Sequence, residues 1–266
     1  MLEGKVAIVT GGGQGLGRAI ALVLAERGAA VTITGRTPAK LDAVAAEIEA
    51  AGGTAQAVPG DVGDRHDVQA AVDATVAAFG GLDILINNAQ SSQPGLSLLE
   101  LTDDMVELTF RSGALGTLYA MRASHPHLKA RGGGSIINIS SISAWRCSSD
   151  AQEPVVAYNA SKHGLLGLTR TLAAEWGGRG VRVNAVCPGW VKTEMDAADQ
   201  GTGVYTDRDI TDRVPQARFA TAGDVAAAIV FLADPARSGF VNGIALPVDG
   251  GWTADAGWNA LRLNHR

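Results

Sequence analysis

The chain has 266 residues, 46% of them apolar and 18% charged, with 22 basic and 27 acidic side chains for a net charge of −5. That length suits one large α/β domain with a sizeable core, and the composition is that of a globular chain, not a disordered one. No basic block points to nucleic acid, and the first apolar run, broken at once by glycines, is neither a signal peptide nor a membrane span. The two cysteines, Cys147 and Cys187, make no disulfide framework. The expectation is a reducing, cytoplasmic setting with both thiols buried or half-buried.

Residues 5–10 (KVAIVT) read as a strand, and VTGGGQGLGRAI carries the chain from it into a helix over 15–28. Glycines at 11, 12, 13, 15 and 17 allow positive φ and close backbone approach, and a helix N-terminus attracts phosphate. The spacing Gly11-x-x-x-Gly15-x-Gly17 differs from G-x-G-x-x-G, and no Lys follows the last glycine as in a P-loop. Gly11, Gly13, Gln14, Gly15, Leu16 and Gly17 are therefore candidate dinucleotide-binding residues. The second strand, 30–35, leads into Arg36 with no acid to take ribose hydroxyls. A guanidinium there suits a 2′-phosphate, so NADP(H) is expected over NAD(H), which stays open. Gln14 offers no second cation.

Further strands read at 54–60, 83–88, 135–140, 181–188 and 244–249, and further helices at 38–51, 65–79, 103–130, 155–177 and 223–233. Strands separated by long crossovers imply a mostly parallel sheet with helices on both faces. Asp103 and Asp104 after Thr102 are helix-start residues. The polar segment 193–218 reads as a mobile lid. The closing stretch with Trp252 and Trp258 reads as docked on a neighbouring surface. His125 and His127 have no companion carboxylate or cysteine motif, so no metal is expected. No linker or domain boundary is visible.

AYNASKHG places Tyr158 four residues before Lys162, on one helix face. At roughly 100° per residue, Tyr158 falls on a stripe with Leu165, Leu168, Leu172 and Trp176, and Lys162 on its edge. A tyrosine of pKa about 10 is a poor base at neutral pH, and an adjacent ammonium stabilises its phenolate.

The glycine loop and YNASK, together with GDV (60–62), NNA (87–89), NISS (138–141), RVNAVCPGWVKTEM (182–195) and VDGG (248–251), resemble the short-chain dehydrogenase/reductase family from Lys5 to about Gly251. The resemblance implies a single Rossmann-type, doubly wound domain with a seven-stranded sheet. It implies hydride transfer between a nicotinamide cofactor and a small-molecule alcohol or carbonyl, in a homotetramer or homodimer built on the 103–130 and 155–177 helices. By resemblance Tyr158 is the general acid–base, Lys162 lowers its pKa and holds the nicotinamide ribose, and Ser141 binds the substrate oxygen. Asp61 and Val62 flank the adenine, and Asn87, Asn88 and Ala89 line the cofactor cleft. Pro188, Gly189, Val191 and Thr193 lie near the nicotinamide.

Three departures stand out. Gln90 replaces the glycine of the family's NNAG, and either enters the substrate cleft or marks backbone that needs no special φ. Gly113 stands where many members carry an asparagine in a water relay behind the lysine, with Ser112 a weak substitute. Ser141 and Tyr158 lie 17 residues apart, more than is usual, which leaves Ser140 and Ser143 as alternatives to Ser141. Gln90, Ser143 and Trp190 are candidate substrate-pocket residues. The expected activity is an NADP(H)-preferring carbonyl reductase or alcohol dehydrogenase. The alternatives are an NAD(H)-linked secondary-alcohol or hydroxysteroid-type dehydrogenase and a dinucleotide-binding regulator without turnover.

Overall fold

The short Val- and Ile-rich runs form seven strands: β1 Val6–Thr10, β2 Ala30–Gly35, β3 Thr54–Pro59, β4 Ile84–Asn87, β5 Gly134–Ile139, β6 Val181–Pro188 and β7 Ala245–Val248. The computed structural model describes residues 1–91, 96–145, 155–193 and 206–255. All neighbouring strands pair in parallel, in the order β3-β2-β1-β4-β5-β6-β7. A parallel pair cannot be joined by a tight hairpin, so helices make the crossovers. They are α1 Gly15–Glu26, α2 Pro38–Ala50, α3 Arg65–Phe79, α4 Asp103–Phe110, α5 Gly116–Ala130, α6 Val156–Trp176, α7 Asp207–Arg213, α8 Ala222–Ala233 and α9 Pro235–Ser238.

Helices cover both faces, which is why β1 and β4 are buried at every position. Ala7 and Val9 pack with Ile20, Leu24, Leu41, Ile48 and Ile229 on one side. Val6 and Ile8 pack with Val72, Met121, Leu128 and Trp176 on the other. The strand order reverses between β1 and β4. In such sheets ligands bind in the crevice outside the strand C-termini at that point.

Two elements differ from the sequence expectation. The helix expected over 103–130 is α4 and α5 joined by a π-helical turn, Arg111–Leu115, whose centre is Gly113. One extra residue per turn has no signature in apolar spacing. Within 193–218, α7 forms behind a reciprocal cap, Thr206 with Asp209, and buries Ile210, with Val214 buried just after it. Residues 194–205, the insert 146–154 with Cys147, and the tail with Trp258 lie outside the described residues. No helix among the described residues is long and apolar enough to cross a membrane.

Candidate active site

The glycine loop links β1 to α1 at the sheet reversal. Gly11 and Gly15 adopt positive φ, 66° and 54°. A Cβ on Gly17 would stand 2.1 Å from the Gly11 carbonyl oxygen and 2.5 Å from Asn88 Nδ2, so only glycine lets α1 start this close to the loop. The Asn88 amide donates to the carbonyls of Thr10 (3.0 Å) and Gly11 (3.3 Å). Thr10 Oγ1 accepts from the backbone N–H of Asn88 (3.0 Å) and Ala89 (3.1 Å). Gln14, the N-cap of α1, makes no side-chain bond to the first turn. The α1 N-terminus is therefore left to an anionic ligand, and the cradle fits a dinucleotide diphosphate.

Beside the cradle, Arg36 is exposed just after β2. Lys40, on the first turn of α2, donates to Gln14 Oε1. Sequence reasoning missed this lysine, because the fold of α2 onto the loop brings it there from four residues beyond Arg36. Asp61 and Val62 line a crevice with Thr10 and Thr34. The Asp61 N–H is held by the Asp67 carboxylate at 2.9 Å.

Across the reversal, β5 ends at Ser140 and Ser141, facing α6. The Ser140 hydroxyl donates to the Lys162 carbonyl at 3.0 Å, and Lys162 Nζ donates to the Ile139 carbonyl at 2.6 Å. Ser141 accepts from the Ser143 N–H at 3.1 Å, and its hydroxyl lies beside the Tyr158 phenol, where it acts to lower the phenol's pKa. Of Ser140, Ser141 and Ser143, Ser141 is the one that acts on the phenol, while Ser140 is committed to backbone. Lys162 Nζ stands 5.4 Å from the Tyr158 ring centroid.

The helix face is rotated from the expected one. Lys162 is at the centre of the buried stripe, 3% exposed, with Ser161, Leu165 and Thr169, while Tyr158 is only half-buried by area. The buried polar residues found here, Ser161 and Lys162, break the apolar pattern from which the phase was read.

Enough protein surrounds the phenol that burial pushes the Tyr158 pKa up, against the opposing Ser141 hydrogen bond. Burial pushes the Lys162 ammonium down to about 8. In the protein alone desolvation dominates the phenol, and the opposing pull comes from Ser141, not from Lys162. Behind the pair, burial raises the Cys187 thiol, which accepts from Trp145 Nε1 at 3.3 Å. It is a packed neutral thiol.

The remaining predicted residues divide. Gly189 is pressed on Asp249, whose Cα would lie 2.8 Å from an added Cβ. It follows the buried Pro188, and Val191 bridges to Ala220. Thr193 is half-buried beside them. Trp190 instead lines a cavity of about 410 Å³ with Val214, Gln216, Arg218 and the 247–251 turn, which includes none of Ser141, Tyr158 and Gln90. Asn87 donates to Asn138 Oδ1 at 2.8 Å, between strands. Ser112 donates to the Leu108 carbonyl (2.8 Å) and accepts from the Ser91 N–H (2.9 Å). His125 stacks on Trp176, ring centroids 4.4 Å apart, and burial lowers its pKa.

A family model described as enoyl-(acyl carrier protein) reductase matches residues 11–253. A D-threitol dehydrogenase of Mycolicibacterium smegmatis is 38% identical over 258 residues, covering 95% of this chain and 94% of that protein. A cis-4-hydroxycyclohexanecarboxylate dehydrogenase of Sinomonas cyclohexanicum is 40% identical over 254 residues, covering 94% and 97%. Among solved structures, a protein of Beutenbergia cavernae described as an NAD(P)-dependent gluconate 5-dehydrogenase, with NADP bound at low occupancy, superposes with a TM-score of 0.85 at 37% identity. It covers 96% of this chain and 98% of that one. The chain therefore belongs to the short-chain dehydrogenase/reductase family, oxidoreductases that act on alcohol groups with a nicotinamide dinucleotide.

Proposed function

We propose that the chain interconverts a small hydroxylated secondary alcohol and its ketone with NADP(H), using Tyr158 as the proton-transferring group. The observation that carries this reading is the convergence of Ser141, Tyr158 and Lys162 at the sheet reversal, opposite the glycine cradle. The nicotinamide, when bound, supplies or takes the hydride. Ser141, beside the phenol, is placed to hold the reacting oxygen. Tyr158 gives that oxygen its proton in reduction and takes it in oxidation. Lys162 holds a positive charge beside the phenol and favours its ionised form.

Arg36 supports a 2′-phosphate, and Lys40 beside Gln14 adds the second cation that the loop itself lacks. Relatives named for threitol and for a hydroxycyclohexane carboxylate suggest polyols and cyclic hydroxy acids as the substrate class. The lid is residues 193–218, with α7 its described part. A homotetramer or homodimer on the α4–α5 and α6 helices accords with exposed Leu115 and Val156, and light scattering of the purified chain would test it. A cytoplasmic location accords with the free Cys187 thiol; fractionation of the source cells checks it.

The test is a panel of polyols, cyclic hydroxy acids and their ketones with both cofactors, with Tyr158→Phe as the blank. Turnover with NADP(H) that vanishes in the variant is expected. A strong preference for NAD(H) would overturn the role of Arg36 and Lys40, and turnover surviving in Tyr158→Phe would overturn that of the tyrosine.

A further inference from the structure

Gln90 and Gly113, far apart in sequence, meet in space. A Cβ built on Gly113 would lie 2.2 Å from Gln90 Oε1 and 2.3 Å from Ser161 Oγ. The Gln90 side chain thus occupies the space that any side chain at 113 would need. Its orientation is determined: Nε2 donates to the carbonyls of Ser91 (2.8 Å) and Thr109 (3.1 Å), two groups that can only accept. The amide oxygen is thereby turned toward Gly113. There it is buried with no partner among the described residues, and so is the Ser161 hydroxyl.

A buried acceptor without a donor costs about 1–3 kcal/mol, so an amide pinned in this orientation needs a reason. Ser112, the other hydroxyl nearby, is already engaged on both its donor and acceptor sides. Ser161 immediately precedes Lys162 on the buried stripe of α6, and the Lys162 carbonyl and ammonium are both bonded to the end of β5. Whatever fixes Ser161 fixes the height of Lys162 against that end.

We propose that Gln90 is a positioning residue for Lys162. Its carboxamide bridges the β4 loop and the last turn of α4, just before the π-helical turn, and offers Oε1 to the Ser161 side of α6, directly or through one water. Gly113 is the residue that makes room for it. The two positions form one unit, in which a carboxamide from the β4 loop stands where a side chain from the helix would otherwise stand. This rests on the reading of Tyr158 and Lys162 given above.

Four variants test it on the full-length enzyme, with the substrate and cofactor found in the panel: Gln90→Met, Gly113→Asn, the double variant Gln90→Gly/Gly113→Asn, and Tyr158→Phe. Gln90→Met keeps the bulk but removes the acceptor. It should lower kcat by roughly tenfold or more and displace the alkaline limb of the pH–rate profile, with the cofactor KM nearly unchanged. Gly113→Asn alone should lower the melting temperature by several degrees, because its side chain meets Gln90 and Ser161. The double variant should recover most of that loss and the wild-type pH limb. An unchanged pH limb in Gln90→Met, or a double variant melting no higher than Gly113→Asn, would overturn the proposal. Full activity in Tyr158→Phe would instead mark failure of the underlying reading, and the melting-temperature comparison stands apart from it.

Discussion

Lys162 is the residue whose chemistry depends most on where it sits. Burial lowers its pKa from 10.5 to about 8, so its charge is at risk within an ordinary assay range. Below about pH 8 the lysine is charged in both the folded and unfolded chain. Between 8 and 10.5 the folded chain sheds the proton first, so the unfolded state binds more protons and folding stability rises with pH. The Cys187 thiol and the Tyr158 phenol, both raised by burial, act in the opposite sense, so urea titrations across that window should show wild-type stability rising relative to that of Lys162→Met. Catalysis runs the other way. On the proposed mechanism carbonyl reduction needs a protonated phenol with a charged neighbour, so kcat/KM in that direction should fall above about pH 8. A profile flat to pH 10 would mean that the ammonium is not required.

Elements divide into those whose origin is plain in the chain and those that depend on contacts. The central strands were legible because parallel strands covered on both faces must be apolar at nearly every position, and the half-buried edge strands β3 and β7 because turn residues bound them. The glycine loop and the Tyr158–Lys162 spacing were legible for the same kind of local reason. The helix α7 was not, since its buried contribution is little more than Ile210. Its existence rests on a cap formed by Thr206 and Asp209. The same device starts α8, where Thr221 accepts from the Asp224 N–H at 3.1 Å and the Asp224 carboxylate accepts from the Thr221 N–H at 2.8 Å. The Arg218 guanidinium beside it holds the Asp224 carboxyl well below the usual range. Thr221→Ala should cost about 1 kcal/mol in chemical denaturation, without changing turnover. The meeting of Gln90 with Gly113 was illegible for a different reason: each residue was conspicuous alone, but only the packing of the β4 loop against a π turn makes them neighbours.

Over the whole molecule, the two ends of the sheet do different work. At the strand C-termini lie the cradle and the Ser141, Tyr158 and Lys162 group. At the other end Asp83, 4% exposed, accepts from Lys5 Nζ (3.2 Å), from Arg131 Nη2 (3.1 Å) and from the Val6 N–H (3.0 Å). Both cations are more than a third exposed, which weakens each pairing. The buried amide of Val6 is the costlier group to abandon. Asp83→Ala should destabilise the fold by about 2 kcal/mol, with kcat and KM unchanged in the surviving folded enzyme. A loss of activity beyond the loss of folded protein would count against this separation of roles.

The bonds from Thr10 and Asn88 bear on how the molecule opens. They cross from the β1 loop to the end of β4 and involve two backbone carbonyls on the first side, Thr10 and Gly11, and two backbone amides on the second, Asn88 and Ala89. Segments so joined exchange with solvent as one cooperative unit, not as two frayed loops. The amides of Gly11 and Ala89 should therefore take up deuterium at a common rate. Thr10→Val, which removes only the hydroxyl, should let Ala89 exchange early while Gly11, held by the Thr34 carbonyl at 2.8 Å, lags behind. The glycine loop and the end of β4 would then be seen to breathe together in the native protein and separately in the variant.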